Sequence, residues 1–477
     1  MMTLLVILLL AFIFQISSVL LLEFRHPDKA LAWMFILFLI PVIGFMFYFF
    51  LAQDYRKRKK LSVGRRSFSR GTTTNIREQS LRIKSVNEMH NAEFHRQERL
   101  FGLLSHFSES PITGKNEAKV LSEGETAFAA MLAAMEKATN HIHIEFYIFR
   151  ADGIGTAFQE VMIRKAREGV KVRLLCDGLG SYHLSSSFVR LLQKEGVEVY
   201  FFLPPFLATL DRRVNYRNHR KIIVVDGTVG FLGGLNVGDD YLGLYEKMGY
   251  WRDTHLQLNG DSVYYLQKAF IESWVLASGQ KIYSPELFPV HSCKRVEQVQ
   301  ILASGPNGQG NDIQKMCFGA IAVAKQRVWI TSPYFIPDQG IFTALKTAAL
   351  SGIEVLIIIP DRPDSRLVKL ASLSYVEELM KAGVKFYQYK KGFIHAKVLI
   401  IDNLLASVGS ANMDMRSFYY NFEITALMFD QETIIKLTKD FEEDLSESFP
   451  IDLLEFSRRS RWQKGAEIVA RLLAPLL

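Results

Sequence analysis

Cysteine is scarce in this 477-residue chain, and its scarcity excludes two classes of site. The three cysteines are scattered, odd in number and without Cys-x-x-Cys spacing, so the sequence indicates neither a disulfide framework nor a cysteine zinc site. The glycine-rich stretch 305–310 is followed by Asn311 and Asp312, where a nucleotide-binding P-loop needs Lys and Ser or Thr. With 49% hydrophobic and 22% charged residues, the chain is also not mainly disordered.

Excess positive charge is nearly absent outside one short segment. Residues 51–70 hold eight Lys or Arg and one Asp, a net charge of +7 out of +8 for the whole chain. A protein that neutralises many phosphates of a nucleic acid is expected to carry its charge on the binding domain itself. The sequence therefore predicts no nucleic-acid partner and disfavours a nuclease.

Charge of either sign is missing from two N-terminal stretches, residues 1–22 and 30–53. Each is long enough to span a bilayer core, which needs about 20 helical residues. The short polar turn 23–29 contains Pro27, so residues 1–60 are predicted to form a two-helix transmembrane hairpin with a basic flank. A cleaved signal peptide is disfavoured because the first stretch lacks a basic start and a small-residue cleavage site.

The basic cluster at residues 56–60 follows the second stretch directly. By the positive-inside rule this side of the membrane is cytoplasmic, which predicts a multi-pass protein with cytoplasmic catalytic domains. The same cluster is suited to attract anionic headgroups, although a pure topology signal explains it equally well.

The remaining chain has the pattern of a duplicated α/β fold. Residues 61–115 are polar and predict a linker with a helical portion near 98–106. Short β-branched strands then alternate with helical stretches over 116–290, and the order of elements repeats over 291–450. Two repeats of this kind predict halves related by a pseudo-twofold axis.

In the segment 451–477, after the second repeat, basic residues are interspersed with apolar ones. It predicts an amphipathic helix that either lies on an anionic membrane surface or packs on the catalytic domain.

One motif occurs in both repeats with matching offsets. From each histidine, a lysine lies at +2, an aspartate at +7, a glycine at +14 and an asparagine at +17. The two sets are His219, Lys221, Asp226, Gly233 and Asn236, and His395, Lys397, Asp402, Gly409 and Asn412. A single copy is compatible with an ordinary strand and turn, but two copies in register inside a duplicated fold indicate a shared site.

Two histidines in one pocket suit displacement at a phosphodiester. One imidazole attacks phosphorus to form a phosphohistidine, while the other protonates the departing alkoxide and then activates the acceptor. We predict His219 as nucleophile and His395 as general acid and base, although the motif symmetry permits the reverse. The lysines and asparagines are predicted to bind the non-bridging oxygens, so neither a metal nor a cofactor is expected.

The acids of the motif are harder to interpret from sequence. Asp226 and Asp402 are candidate catalytic residues, but each stands in a turn dipeptide, which leaves a structural role open. Asp253 and Glu423 lie further downstream in comparable contexts, and each is a candidate to accept an imidazole Nδ1–H and orient the ring.

With these motifs, the sequence resembles the phospholipase D superfamily over about residues 116–450 and, within it, bacterial cardiolipin synthases of the phospholipase D type. The closer resemblance rests on the N-terminal hairpin, on the contexts of His219 and His395, and on the Asp414-Met415-Arg416-Ser417 stretch before Glu423. It implies an enzyme of the bacterial inner membrane that joins two phosphatidylglycerol molecules and releases glycerol. An oligomeric state is not indicated.

Two alternatives stay open at this point. A phospholipase of the same superfamily passes the intermediate to water by the same general-base step, so sequence does not separate it from a transferase. A non-enzymatic membrane scaffold is disfavoured because every polar position of both motifs is intact.

Overall fold

The structure is a computed structural model that describes residues 2–23, 27–51, 76, 80–107, 109–204, 216–245, 248–306 and 311–474. The N-terminal unit has three helices, α1 (Met2–Leu22), α2 (Pro27–Leu39) and α3 (Pro41–Leu51). The helix α4 (Glu98–His106) lies where the sequence predicted a helical portion. The basic flank at residues 52–60 and most of the linker lie outside the described residues.

The second uncharged stretch is not one helix, and the expected two-helix hairpin is corrected on this point. The stretch divides at Ile40, because Pro41 has no backbone N–H and its ring disfavours a continuous helix through that position. The ring centroids of Trp33 and Tyr48 are 5.4 Å apart, so α3 folds back along α2. In a search of the described residues, no helix meets both the length and the apolarity that a membrane crossing requires.

The first repeat alternates strands and helices as the sequence pattern predicted. Its elements are β1 (Ile112–Glu123), α5 (Gly124–Glu136), β2 (His141–Phe146), α6 (Gly153–Arg167), β3 (Lys171–Asp177), α7 (Ser186–Lys194), β4 (Glu198–Phe202), β5 (Lys221–Val225), β6 (Val229–Gly233), β7 (Tyr250–Gly260) and α8 (Asp261–Ser278). Short 3₁₀ turns occur at Val86–Glu88, Ala92–Arg96, Asp239–Leu242 and Pro285–Leu287.

The second repeat follows the same order with four small additions. Its elements are β8 (Glu297–Ser304), α9 (Asp312–Ala322), β9 (Arg327–Thr331), β10 (Phe335–Ile336), α10 (Gln339–Leu350), β11 (Glu354–Pro360), α11 (Arg366–Lys381), β12 (Lys385–Tyr389), β13 (Gly392–Ile394), β14 (Val398–Ile401), β15 (Leu405–Gly409), β16 (Met413–Asp414), α12 (Met415–Tyr419), β17 (Glu423–Met428) and α13 (Gln431–Ser446). The additions are β10, β13, β16 and α12. The chain then continues through β18 (Ser448–Pro450), α14 (Leu453–Ser457) and α15 (Arg461–Leu473).

One continuous sheet joins the repeats. Its strand order is β18-β12-β11-β9-β14-β15-β17-β8-β1-β7-β6-β5-β2-β3-β4. Read outward from the antiparallel β1–β8 pair, the two halves have matching orders, which is the duplication that the sequence predicted. The strands that follow the two motif histidines, β5 and β14, therefore occupy equivalent places on either side of the junction.

Helices cover both faces of the sheet, so the strands are buried on both sides. Successive residues of β5 belong to different cores, with Ile222 and Val224 in a core shared by both repeats and Ile223 in a core under α5, α6 and α7. In β14, Ile400 and Leu399 divide between the shared core and a core under α9, α10 and α11 in the same way. Such strands read as continuous apolar runs because neither face meets water.

Candidate active site

Each motif histidine is hydrogen-bonded to the other repeat through its main chain. The main-chain N–H of His219 donates to Phe422 O at 3.0 Å, and that of His395 donates to Arg252 O at 2.7 Å. The strand β13 just before His395 also pairs in parallel with β7 of the first repeat. The two motifs therefore meet at the junction, although their sequence positions are far apart.

The carboxylates downstream of the motifs are exchanged between the repeats. His219 Nδ1 lies 3.0 and 3.1 Å from the two carboxylate oxygens of Glu423, and His395 Nδ1 lies 2.7 Å from Asp253 Oδ2. All four side chains are buried. Because an ionised carboxylate only accepts hydrogen bonds, each Nδ1 carries the proton and each Nε2 presents its lone pair.

Burial sets the charge states of these pairs. It lowers the pKa of His219 to about 4 and that of His395 to about 3, against the opposing attraction of Glu423 and Asp253. Burial opposes ionisation of both carboxyls, yet the adjacent imidazoles and lysines hold the pKa of each carboxyl below its usual range. Neutral imidazoles beside ionised carboxylates are the form in which a histidine attacks phosphorus or accepts a proton.

The two motif lysines are held by the main chain of the histidines. Lys221 Nζ donates to His219 O at 2.7 Å, and Lys397 Nζ donates to His395 O. Burial lowers the pKa of Lys221 to about 7 and that of Lys397 to about 8. Part of each ammonium therefore remains charged near neutral pH, and an incoming phosphodiester favours the charged form further.

Both histidines open on one cavity of about 240 Å³ between the repeats. Its walls are polar and aromatic and come from both halves of the chain. The lining residues are Tyr147, Ile148, Arg217, His219, Asn236, Tyr241, Trp251, Tyr334, Ile336, Asp364, Val368, His395, Asn412, Asp414, Arg416 and Asn421.

The motif asparagines line this cavity, but their amides are already partly used. Asn236 Oδ1 accepts the N–H of Ile148 at 3.0 Å, and its Nδ2 donates to Tyr241 Oη at 3.0 Å. Asn412 shares a side-chain hydrogen bond with Asp414. Each amide nitrogen keeps one hydrogen for a phosphate oxygen, so the expected phosphate-binding role continues as a proposal.

The motif aspartates are not brought to the cavity. Asp226 accepts the N–H groups of residues 139, 140 and 141, each at 2.8 Å, where β2 begins. Asp402 accepts those of residues 325, 326 and 327 at 2.8–2.9 Å, where β9 begins. Both turns have φ near +50°, a conformation that Asp tolerates better than most residues. We therefore correct the expectation that these aspartates are catalytic. Their role is structural, because each caps the main-chain N–H groups at the start of a strand.

Sequence reasoning missed several residues of the site. Arg217 and Arg416 add two cationic groups to the cavity wall, and Tyr147 packs edge-on against His219 with ring centroids 5.0 Å apart. The hydroxyl of Ser410 donates to Glu423 and so supports the carboxylate that orients His219. The sequence position of the two arginines could have indicated them, because each lies within a few residues of a motif or of its downstream acid.

No group of three or more His, Cys, Asp or Glu side chains is arranged to hold a metal within the part of the chain that the structure describes. The expectation that the chemistry needs no metal stays a prediction.

The repeated domains and the shared cavity define the class of this protein. The family model described as "Cardiolipin synthase, PLD-like domain" matches residues 131–274 and 318–445, so the chain is a phospholipase D-like protein with both halves of the domain. A second model, "Phospholipase_D-nuclease N-terminal", matches residues 4–53. Among solved structures, a phosphatidylserine synthase from Haemophilus influenzae has a TM-score of 0.59 at 13% identity, covering 79% of this chain and 96% of its own. This likeness shows the same fold.

Curated relatives narrow the class further. A cardiolipin synthase from Halalkalibacterium halodurans is 43% identical over 468 residues, covering 97% of this chain and 92% of the relative. One from Alkalihalophilus pseudofirmus is 43% identical over 477 residues, covering 100% and 94%. Cardiolipin synthase 2 of Bacillus anthracis is 42% identical over 474 residues, covering 97% and 90%. The chain belongs to the cardiolipin synthase family.

Proposed function

We propose that this protein is a phosphatidyltransferase that makes cardiolipin from two molecules of phosphatidylglycerol and releases glycerol. The observation that carries the proposal is the meeting of two carboxylate-oriented histidines in one cavity, in a chain of the cardiolipin synthase family. No observation favours the hydrolase alternative.

The first half-reaction uses His219 as nucleophile. Its Nε2 attacks the phosphorus of the donor lipid, the bond to the headgroup glycerol breaks, and a phosphatidyl-histidine forms. His395 gives its Nε2 proton to the leaving glycerol oxygen. Burial and the neighbouring Lys397 keep the pKa of His395 low, but a bound anionic phosphodiester stabilises the imidazolium and raises its proton affinity.

The second half-reaction reverses these proton transfers. Neutral His395 takes the proton from a hydroxyl of the acceptor phosphatidylglycerol, whose oxygen attacks phosphorus and releases His219. One phosphodiester replaces another, so the free-energy change of the overall reaction is close to zero and no nucleotide is needed to drive it. Glu423 and Asp253 keep both rings in the required tautomer throughout.

Four cations are proposed to hold the phosphate. Lys221 and Lys397 lie behind the histidines, and Arg217 and Arg416 line the cavity. Fixed positive groups in a water-poor site stabilise the extra negative charge of the transition state more strongly than water does.

Purified protein given acyl-labelled phosphatidylglycerol alone tests this function. We expect cardiolipin and free glycerol as products, and added glycerol should drive labelled cardiolipin back to phosphatidylglycerol. Chelators should leave the rate unchanged. Formation of cardiolipin only when CDP-diacylglycerol is supplied, or of phosphatidic acid alone at high lipid density, would end the synthase assignment.

We further propose that the N-terminal unit attaches the protein to the bacterial inner membrane, with the catalytic domains on the cytoplasmic side. The uncharged stretches 1–22 and 30–53 and the basic cluster 56–60 support this topology. Attachment holds the cavity near lipid headgroups, which raises the rate of a reaction between two lipids.

The C-terminal helix α15 is proposed to lie on the same anionic surface. Trp462 is 91% exposed and Ile468 61% exposed, and Leu454 of the adjoining α14 is 71% exposed. The inner side of α15 packs on α11, and α15 also contacts α2 of the N-terminal unit. An amphipathic helix with an outward tryptophan next to a membrane-attached helix is suited to the lipid interface.

The sequence left open whether the C-terminal helix packs on the catalytic domain or lies on a membrane surface, and the arginines near α15 are arranged for both. Arg459 is turned inward, with Nη2 2.8 Å from Glu467 and Nη1 3.1 Å from Glu377. Arg458 and Arg461 are exposed. The helix therefore packs on the catalytic domain with one face and offers the other face to a surface.

Trp462→Ala tests the interfacial role on vesicles of phosphatidylglycerol diluted into neutral lipid. Removing a large apolar contact costs roughly 1.5–3 kcal/mol of burial, so the lipid fraction that gives half-maximal rate should rise at least about tenfold. Val290→Ala, which truncates a residue that is 83% exposed elsewhere, is the control and should behave as wild type. Equal lipid dependence in both variants would remove α15 from the interface.

A further inference from the structure

The polar groups of the active-site cavity fall into two sets with opposite binding preferences. Arg217 and Arg416 are cationic and suit a phosphate. Asp364 and Asp414 are carboxylic acids that line the same cavity, and their negative charge opposes a phosphate. Asp414 caps the start of α12 by accepting the N–H of Ser417 at 2.6 Å. Phosphate binding gives no reason for Asp364, which calls for a ligand group that donates hydrogen bonds.

The amide of Asn421 belongs to this second set because of the way it is oriented. Its Nδ2 lies 3.2 Å from Glu423 Oε1, and a carboxylate oxygen of the ionised acid only accepts. The NH₂ group must therefore face Glu423, which directs Oδ1 away from it. Asn421 is 6% exposed and lines the cavity, and no described residue donates to its Oδ1.

Asn412 repeats the arrangement on the same wall. Its side chain is hydrogen-bonded to Asp414, it is 5% exposed, and its Oδ1 likewise has no donor among the described residues. A buried acceptor left without a donor costs about 1–3 kcal/mol. Two such acceptors that line one cavity point to a ligand that supplies the donors.

Asp364 completes the wall at the mouth of the cavity. It lies in the loop between β11 and α11, it is exposed, and it accepts a hydrogen bond from the hydroxyl of Tyr334. A carboxylate offers about four acceptor positions, so further positions stay open after the tyrosine has bound. Asp364 lines the same cavity as His395.

Hydroxyl groups fit this wall better than ammonium groups. Both donate hydrogen bonds, but an ammonium group would share the cavity with the cationic Arg217 and Arg416. A neutral diol donates to the amide oxygens and to the carboxylate without that repulsion.

We propose that Asn412, Asn421 and Asp364 form an acceptor subsite that binds the vicinal hydroxyls of a glycerol headgroup and places one of them next to His395. The inference rests on the proposed function and deepens it, because it names the residues that choose the acceptor. Asp364 is a specificity-determining residue in this scheme, and Tyr334 is the positioning residue that orients it.

A competition between two alcohols tests the subsite. The full-length protein is given acyl-labelled phosphatidylglycerol with deuterated glycerol and ethanol at equal concentrations, and mass spectrometry compares deuterated phosphatidylglycerol with phosphatidylethanol. Both products come from one phosphatidyl-histidine, so their ratio reports acceptor choice independently of the donor step. Wild type should favour glycerol, and Asp364→Asn should lower the ratio about tenfold, as expected for one lost charged hydrogen bond.

Asp361→Asn is the matched control, because it removes a carboxylate of the same loop that does not line the cavity. Its ratio should equal that of wild type. Tyr334→Phe removes the hydroxyl that orients Asp364 and should lower the ratio about threefold, and it serves as the test if Asp364→Asn does not fold. An unchanged ratio in both site variants, or a wild type without preference for glycerol over ethanol, would each overturn the subsite while the transferase function stands. Phosphatidic acid as the sole wild-type product would instead overturn the proposed function and the subsite with it.

Discussion

The two histidine–carboxylate pairs occupy equivalent places but are built differently. Glu423 receives His219, the hydroxyl of Ser410 and the amide of Asn421, while Asp253 receives His395 and the N–H of Thr254. The longer glutamate side chain thus has two more side-chain donors. Its histidine also keeps the higher pKa of the two, about 4 against about 3.

Space explains the difference on the Asp253 side. Gly234 stands where the second repeat has Ser410, and a Cβ at Gly234 would lie 2.1 Å from Asp253 Oδ1. Trp251 packs near His395, with ring centroids 5.3 Å apart. Duplication therefore preserved the pair of groups but not their surroundings, and this gives the two histidines room for different roles.

The largest effects should come from the histidines themselves. His219→Ala and His395→Ala should each lower turnover by roughly four orders of magnitude or more, since each removes a group that we propose bonds to phosphorus or moves a proton. The two variants should differ in whether a labelled phosphatidyl-histidine forms on the protein. With labelled donor lipid, His395→Ala keeps the nucleophile and should take up label on the protein slowly, whereas His219→Ala should carry none.

His183→Ala, a change of an exposed histidine outside the cavity, is the control for both and should keep wild-type turnover. Label on the His219→Ala protein would reverse the assignment of nucleophile.

Neutral replacements of the carboxylates come next. Glu423→Gln and Asp253→Asn keep the size of each side chain but no longer select the Nδ1–H tautomer, so kcat should fall by roughly 10³-fold or more in each case. Steady-state kinetics on vesicles measures the loss. A fall confined to KM would mean that the carboxylates act on lipid binding rather than on the imidazoles.

The glycine–serine difference should give an unequal pair of effects. Gly234→Ala forces Asp253 to move, and a misplacement of about 1 Å at a catalytic group can cost roughly 10²-fold in rate. Ser410→Ala removes one hydrogen bond to Glu423 and should cost roughly tenfold. The ratio of the two rates sharpens the comparison, and equal losses would argue that the surroundings of both pairs are equivalent after all.

The lysines predict a pH dependence of substrate capture. A lysine is charged below its pKa, so Lys221 and Lys397 lose charge as the pH rises through about 7 and about 8. We therefore expect kcat/KM to fall above about pH 7, and Lys221→Met should remove the earlier part of that fall at the cost of a lower plateau. A profile that stays flat to pH 9 would show that both lysines remain protonated.

The smallest effect on turnover is expected from the motif aspartates. Asp226→Ala and Asp402→Ala should lower the free energy of unfolding by about 2 and about 3 kcal/mol, because each carboxylate caps three main-chain N–H groups and Asp402 is the more buried. Urea unfolding measures the loss, and the folded fraction should turn over normally. A loss of rate in fully folded variants would show that these aspartates take part in catalysis.

The repeated motif was readable from sequence because its offsets are local and match. The spacing of His219 and His395 from their lysines predicted the shared site, and the alternation of strands predicted the duplicated α/β fold. The two downstream acids were candidates by context, but which acid faces which histidine depends on the register of β13 against β7, a contact between distant segments.

Other features depended on tertiary packing that no spacing records. Asp226 and Asp402 lie at matching offsets in the two motifs, yet their partners are main-chain amides at the starts of β2 and β9, which carry no side-chain signature. Arg217 and Asp364 reach the cavity from different repeats. Pro41 was visible in the sequence, but the prediction of one continuous helix rested on the absence of charge and did not take the proline into account.

The crossed pairing of histidines and carboxylates makes neither repeat self-sufficient. Half of the chain carries one histidine and the acid that the other half needs, so a single repeat is able to assemble this chemistry only by meeting a second copy head to head. Co-expressed halves should therefore restore activity only together. In a gene of this kind, fusion of two copies turns a contact between chains into a contact within one chain, and from then on each half is free to acquire its own neighbours, as Gly234 and Ser410 have done.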